Sequence, residues 1–162
     1  MKNKKEKELE HSDIEFLEGE FVNVRQSTIR SVEGGHVELQ QVGALSIDGE
    51  KIEVTQGASG ILRGNDVTLN QSISAITATE NVSVNFSFTP VTVSRKDASV
   101  NRSAVGLLAA RKIKTDSSSA FLVIGNTIEG NITTLLDWKS AAALGAVMGG
   151  IWGFFSLLLK RR

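Results

Sequence analysis

The 162-residue chain has no cysteine, no tyrosine and only one proline. The lack of cysteine excludes disulfide bonds, thiolate metal sites and a cysteine nucleophile. Basic and acidic residues balance, 18 against 18, so no overall charge points to nucleic acid as a partner. The two histidines, His11 and His36, are too few and too poorly placed to predict a metal site. Many Val, Ile, Thr, Ser and Asn residues instead favour strands and tight turns.

Sequence motifs for catalysis are also missing. The chain contains no GxSxG nucleophile elbow, no Walker loop, no dinucleotide fingerprint and no HExxH pair. Glu38 and Glu53 occupy equivalent positions and are interpreted as solvated surface charges rather than as a general acid and base. The sequence therefore predicts a protein that is not an enzyme, with no cofactor, no metal and no small-molecule substrate.

A period of fifteen residues organises most of the chain. One apolar column runs through Val22, Val37, Ile52, Val67 and Val82, and a second apolar residue follows each of these two places later. One extra residue enters near Lys96 and Asp97, after which the column resumes at Ala98, Ile113 and Ile128. Apolar and polar residues alternate within each row, as in a strand with one buried face. A second apolar group recurs later in the row, and its members include Ile61, Ile76, Val91 and Val93.

A repeat of this length is too short to contain helices and fits one coil of a β-solenoid. The sequence predicts an all-β, single-stranded β-solenoid (β-helix) of about eight coils, stacked at about 4.8 Å. Gln26, Gln41, Gln56 and Gln71 share one column, and Asn70, Asn85, Asn101 and Asn131 share the column before it. Stacked amides of this kind are expected to hydrogen-bond from coil to coil at a turn.

Four segments follow from these patterns. Residues 1–13 are expected to form a charged, solvated N-terminal tail and have no apolar stretch typical of a secretory signal. Residues 14–21 are predicted to cap the solenoid, which occupies residues 22–136. Residues 137–162 are predicted to form a membrane anchor with a short basic tail.

The C-terminal coils carry apolar residues at positions that are polar in earlier rows. Successive strand residues face opposite sides, so about half of the run from Phe121 to Ile124 is expected outside a narrow coil. An apolar outer surface is expected to pack against copies of the same protein or against a membrane surface. The predicted interface residues are Phe86, Phe88, Leu107, Leu108, Phe121 and Val123.

The segment from Ser140 to Leu159 contains no charged residue and is long enough to cross a bilayer as one α-helix. Trp138 with Lys139 stands before it and Lys160–Arg162 after it, which is typical of the two membrane interfaces. Small residues recur every fourth position on one predicted face of this helix, which favours close packing between helices. These packing residues are Ala141, Gly145, Gly149 and Gly153.

The orientation of the anchor is open to two predictions. The basic end, Lys160–Arg162, would lie in the cytoplasm by the positive-inside rule, which puts the solenoid outside. Without a signal to export the preceding chain, a three-residue tail is easier to move across the membrane. We favour a single-pass, tail-anchored protein with a cytoplasmic solenoid, and keep the extracytoplasmic solenoid as the alternative.

The valine-rich coil rhythm over Val22–Leu136, between short polar tails, resembles the bactofilins. That resemblance implies a membrane-associated cytoskeletal β-solenoid that polymerises end to end. The function expected from the sequence is that of a structural or scaffold protein, with the membrane and either its own copies or a larger membrane complex as partners. Two alternatives are an accessory subunit of a membrane enzyme complex and an extracytoplasmic adhesin or spike.

Overall fold

The computed structural model describes residues 6–10 and 13–134 of the chain. They form one parallel sheet wound into a β-solenoid of about eight coils, which confirms the predicted all-β repeat architecture. The predicted anchor, with Ala141, Gly145, Gly149 and Gly153, lies outside the described residues. The strands are β1 (Glu6–Glu10), β2 (Asp13–Arg25), β3 (Thr28–Gln40), β4 (Gly43–Thr55), β5 (Ala58–Asn70), β6 (Ile73–Asn85), β7 (Phe88–Ser94), β8 (Asp97–Asn101) and β9 (Ala104–Thr134).

Each coil pairs with the next in the predicted register. Val22 pairs with Val37, and the same spacing of 15 residues separates bonded side chains in successive coils. Across the pairing of β6 with β8 the spacing becomes 16, as between Val82 and Ala98. The extra residue lies in the bend Arg95–Lys96 between β7 and β8. The predicted one-residue insertion is thus confirmed, and it explains why β7 and β8 together replace one long strand.

The two apolar columns at the start of each coil form the core. The column that begins at Val22 is buried down to Ile113, and the column that begins at Val24 is buried down to Thr115. Because alternate strand residues point to one side, both columns face the interior of the coil. Each such aliphatic side chain contributes about 1.5–3 kcal/mol on burial. Ile128, in the last predicted row, is exposed.

One corner takes the left-handed backbone conformation in seven successive coils, from Gln26 to Ser117, and none of these seven residues is glycine. Gln26, Gln41, Gln56 and Gln71 all have φ between 48° and 57°, and Phe86 takes the same conformation at φ 50°. The four glutamines form the predicted ladder, with amide nitrogens donating to the next amide oxygen at 3.0, 3.3 and 3.1 Å. These bonds between coils hold side chains at a backbone conformation that L-residues seldom adopt.

The asparagine column before this corner forms a second ladder. Asn85 Nδ2 donates to Asn70 Oδ1 at 3.0 Å, and Asn101 Nδ2 donates to Asn85 Oδ1 at 2.8 Å. The stacked amides predicted from the sequence are thus present at two adjacent positions of the turn. They connect consecutive coils on the outer surface.

A column of serines closes the same corner from inside. Ser87 Oγ donates to Asn85 O at 2.7 Å and accepts the Ser72 N–H at 3.0 Å. Ser103 and Ser118 repeat this pattern in the next coils, accepting the N–H groups of Ser87 and Ser103. Every bond satisfies a backbone group that the turn removes from the strand ladder. The triplet Asn-x-Ser is therefore a structural unit of this corner.

A glycine column marks the opposite corner, where consecutive coils approach closely. A Cβ on Gly34 would lie 2.6 Å from Gly19 O, and one on Gly49 would lie 2.6 Å from Gly34 O. No side chain larger than hydrogen fits there without moving the backbone. Further along, Thr79 and Ser94 replace glycine, and their hydroxyls donate to carbonyl groups at this corner, with bonds of 2.6–2.9 Å.

Residues within the predicted tail and cap take part in the sheet. β1 pairs in parallel with Phe21–Arg25, and β2 runs through the predicted cap in the same register as the later coils. Leu17 is buried in the core, whereas Phe16 is exposed. The coil pattern therefore begins earlier in the chain than the apolar period suggested, because backbone pairing does not require apolar side chains.

Candidate functional site

The structure separates the six predicted interface residues into two groups. Phe86, Phe88 and Phe121 are exposed, with 56%, 48% and 54% of their surface accessible. Leu107 is half-buried. Leu108 is fully buried, at 0%, and Val123 packs against the core. Leu108 therefore belongs to the core and cannot contribute to an outer surface.

Phe88, Leu107 and Phe121 belong to a larger surface, which we call the apolar wall, whereas Phe86 lies outside it at the left-handed corner. The wall consists of the outward residues of four successive rungs on one side of the solenoid, and none of them is charged. Strand pairing aligns these rungs, for example Ile73 with Phe88 and Val91 with Leu107. The wall comprises Ile73, Ala75, Ile76 and Ala78; Phe88, Pro90, Val91 and Val93; Ala104, Gly106, Leu107 and Ala109; and Ser119, Phe121, Leu122 and Ile124.

The same side of the solenoid is charged in the coils nearer the N-terminus. One column of paired residues runs Glu33, Asp48, Arg63, Ala78 and Val93, so Arg63 is the last charged residue in it. In the first coils an ion pair between Arg30 and Glu15 at 2.9 Å also lies on this side. The apolar wall is thus restricted to the C-terminal half of the described solenoid.

Behind the apolar wall the usual polarity of a sheet is inverted. In residues 73–79 of β6 and in β7 the inward side chains are hydroxyl residues, and Thr77 and Thr92 are completely buried. Their hydroxyls donate to Ser74 Oγ and Thr89 Oγ1, both at 3.0 Å. Internal pairing satisfies these groups, so burial of the hydroxyls does not leave polar atoms without partners. The aliphatic residues of the same strands then remain outside.

The second apolar group of each row is divided between the inside and the outside of the coil. Ile61, Ile76 and Val93 belong to this group, and all three are exposed. Their neighbours Leu62 and Thr77 fill the interior instead. Alternation of apolar and polar residues predicts a strand but does not identify which side faces the core. The signal available in the sequence was the appearance of Thr77 and Thr92 at positions where earlier coils have Val32 and Ile47.

A groove of about 940 Å³ runs along the glycine corner. Its floor includes Gly34, Gly49 and Gly64, and six carboxylates and two arginines line it. The carboxylates are those of Glu18, Glu20, Glu33, Asp48, Glu50 and Glu80. Within the described part of the chain, no group of three His, Cys, Asp or Glu side chains is placed to hold a metal ion. The groove is an acidic, open surface rather than an enclosed site.

One ion pair spans the insertion. Lys96 Nζ donates to Glu80 Oε2 at 2.7 Å, and this hydrogen bond together with the charge of Glu80 raises the pKa of Lys96. Lysine is already protonated at neutral pH, so the pair needs no change in protonation to form. Its position indicates a local role in fixing the bend.

The comparisons with known proteins add no family to the β-solenoid architecture. Models of protein families, curated proteins and solved structures were each compared with the chain, and none matched. No helix among residues 6–10 and 13–134 is long and apolar enough to span a membrane. The apolar wall is therefore the feature of the described residues that departs most clearly from an ordinary solvated surface.

Proposed function

We propose that this protein is a non-catalytic, membrane-anchored β-solenoid that acts as a structural or scaffold protein. The observation that carries the proposal is the apolar wall, with four rungs of outward residues and no charge among them. A surface of this kind marks an interaction site on a soluble domain. The solenoid supplies the rod, and the apolar wall supplies a contact along its C-terminal half.

The position of the wall along the chain supports the membrane part of the proposal. β9 ends at Thr134, and five residues separate it from the uncharged segment Ser140–Leu159. The apolar half of the solenoid is therefore the half nearest in sequence to the proposed anchor. The charged coils are farthest from it. We propose that the solenoid is cytoplasmic, with the extracytoplasmic solenoid as the alternative.

Resemblance to the bactofilins would add end-to-end polymerisation to this function. The uniform coil register supports stacking of rods in principle, because parallel rungs end in unpaired backbone groups. Lateral contact through the apolar wall is a different mode of assembly. The two modes predict different particles, namely filaments and compact oligomers.

Fractionation and native mass together test the proposal. We expect the full chain in the membrane fraction after alkaline washing, and a chain lacking 140–159 in the soluble fraction. The detergent-extracted protein is expected to have a native mass that is a multiple of its 17.4 kDa chain mass. A constant ratio to a different chain would indicate an accessory subunit instead. Recovery of the full chain in the soluble fraction would refute anchoring.

A further inference from the structure

We propose that a second copy of this chain covers the apolar wall, related by a twofold axis that runs along the solenoid. Each rung of the wall then faces its own image. The inference rests on the proposed membrane anchoring for the direction of that axis. It goes further by naming the partner, the surface and the alignment of the two rods.

Absence of charge makes this wall suited to pairing with itself. A twofold axis brings the residues nearest to it close to their own images, so a charged residue near the axis meets a like charge. The opposite wall carries Glu38 and Glu53 in consecutive coils, and the glycine groove carries six carboxylates. On the apolar wall, Ile76, Val91 and Leu107 would meet only aliphatic groups.

The size of the wall explains why the anchor is also needed. Four rungs at about 4.8 Å and six residues at about 3.3 Å give a wall of roughly 400 Å² on each copy. A pair would bury roughly 800 Å² in total, less than the 1,200–2,000 Å² or so of standard stable interfaces. Two copies held in one bilayer have a high effective concentration, which allows a smaller interface to form.

Anchoring determines the direction of the axis. Both copies would insert their C-terminal segments into the same bilayer, so both solenoids point the same way. An antiparallel pair matched over the four rungs of the apolar wall would place one anchor about 19 Å from the bilayer, the height of those rungs at about 4.8 Å each. The parallel arrangement therefore aligns β6 with β6 and β9 with β9.

Charges on the coils nearer the N-terminus limit the contact to the C-terminal coils. Asp48 and Glu33 lie in the column that becomes Ala78 and Val93 farther down. In the parallel pair, contact at the height of these coils would bury the carboxylates of both copies, and burial of a charge is costly. We therefore expect two rods that touch along the apolar wall and diverge toward their N-termini.

Cysteine cross-linking of the full chain in membranes tests this arrangement directly, because the native sequence has no cysteine. Val91→Cys and Leu107→Cys are expected to form a disulfide-linked dimer on oxidation. Two variants serve as controls and are expected to stay monomeric. Asp48→Cys lies on the same side in a coil nearer the N-terminus, and Ser99→Cys lies on the opposite wall. Mixing Ile76→Cys with Phe121→Cys chains distinguishes direction. A parallel pair links like with like, whereas an antiparallel pair links Ile76→Cys to Phe121→Cys.

A charge variant gives an independent test. Adding Ile76→Lys to the Leu107→Cys chain places two lysines opposite each other, and we expect the dimer band to be lost. Ser83→Lys, on the wall opposite the apolar wall, is the matched control and should leave the dimer band unchanged. Membrane-bound chains with no dimer at either Val91→Cys or Leu107→Cys would overturn the pairing but not the anchoring. Quenching of a fluorophore at Leu107→Cys by brominated lipid would show that lipid covers the wall, which also overturns the pairing. Chains found only in the soluble fraction would refute the proposed anchoring itself.

Discussion

Replacing Ser87 by alanine removes one step of the internal serine column. Ser87 Oγ is buried and is the acceptor for the Ser72 N–H at 3.0 Å. It also donates to Asn85 O, which keeps a second bond from the Gln71 N–H at 3.0 Å. The substitution therefore leaves one buried donor without an acceptor. The expected loss in the free energy of unfolding is about 1–3 kcal/mol, the usual cost of such a group.

Ser59 provides the opposite case in a neighbouring part of the coil. Ser59 Oγ is the buried side-chain oxygen that has no hydrogen-bond partner among the described residues. Ser59→Ala removes this hydroxyl and leaves no other group unsatisfied. Burial of an unpaired hydroxyl costs about 1–3 kcal/mol in proteins, so the substitution should leave stability unchanged or increase it. The two serines are equally buried, which makes the pair a matched comparison.

Urea titration of the full chain in detergent, followed by far-ultraviolet circular dichroism, measures both effects. Thermal melting provides a second readout, with an expected fall of about 2–4 °C for each kcal/mol lost in a chain of this size. Ser99→Ala, on the wall opposite the apolar wall, serves as a control and should change stability by less than about 0.5 kcal/mol. If Ser87→Ala and Ser59→Ala lower the midpoint equally, the serine column does not stabilise the corner as described.

Three further predictions concern the core, the glycine corner and the anchor. Val67→Asp puts an unpaired carboxylate into the core, where Val67 is 2% exposed, and should abolish the β-sheet circular dichroism signal; an unchanged spectrum and melting curve would contradict the coil register. Gly49→Ala should destabilise by about 1–3 kcal/mol, as overpacking does, because its Cβ would lie 2.6 Å from a carbonyl oxygen. Gly43→Ala, whose Cβ meets nothing within 4 Å, is its control. Replacing Gly145 and Gly149 by leucine should weaken association in detergent but leave membrane insertion intact; an oligomer of unchanged mass would make the small-residue ridge incidental.

The sequence predicted the ladders of the corner well because they depend only on position in the repeat. Parallel coils place residues fifteen apart next to each other, so Gln26 and Gln41 had to be neighbours once the period was recognised. The insertion at Arg95–Lys96 followed in the same way, as a change of one in that spacing. The left-handed backbone at these glutamines was not predicted, because glycine is the usual residue there.

The candidate site was predicted only in part. Phe86, Phe88 and Phe121 are exposed as expected, whereas Leu108 is in the core. Two adjacent leucines, or an aliphatic residue next to a threonine, satisfy a strand pattern in either orientation. The neighbouring coils impose the orientation. Leu62 is buried in the preceding coil and pairs with Thr77, so Thr77 also points to the interior.

The amino-acid sequence by itself determined the period, the coil register and the residues that stack on one another. These follow because each coil repeats the same backbone path, so that equal spacing along the chain becomes contact between coils. For the second apolar group of each coil, tertiary structure alone decided which side of the strand is the inside. In β6 and β7 it turned Thr77 and Thr92 inward, where hydroxyl pairing satisfies them, and left Ile76 and Val91 on the outer side. That choice depends on packing between coils rather than on the hydrophobicity of any one strand, and it is what creates the apolar wall.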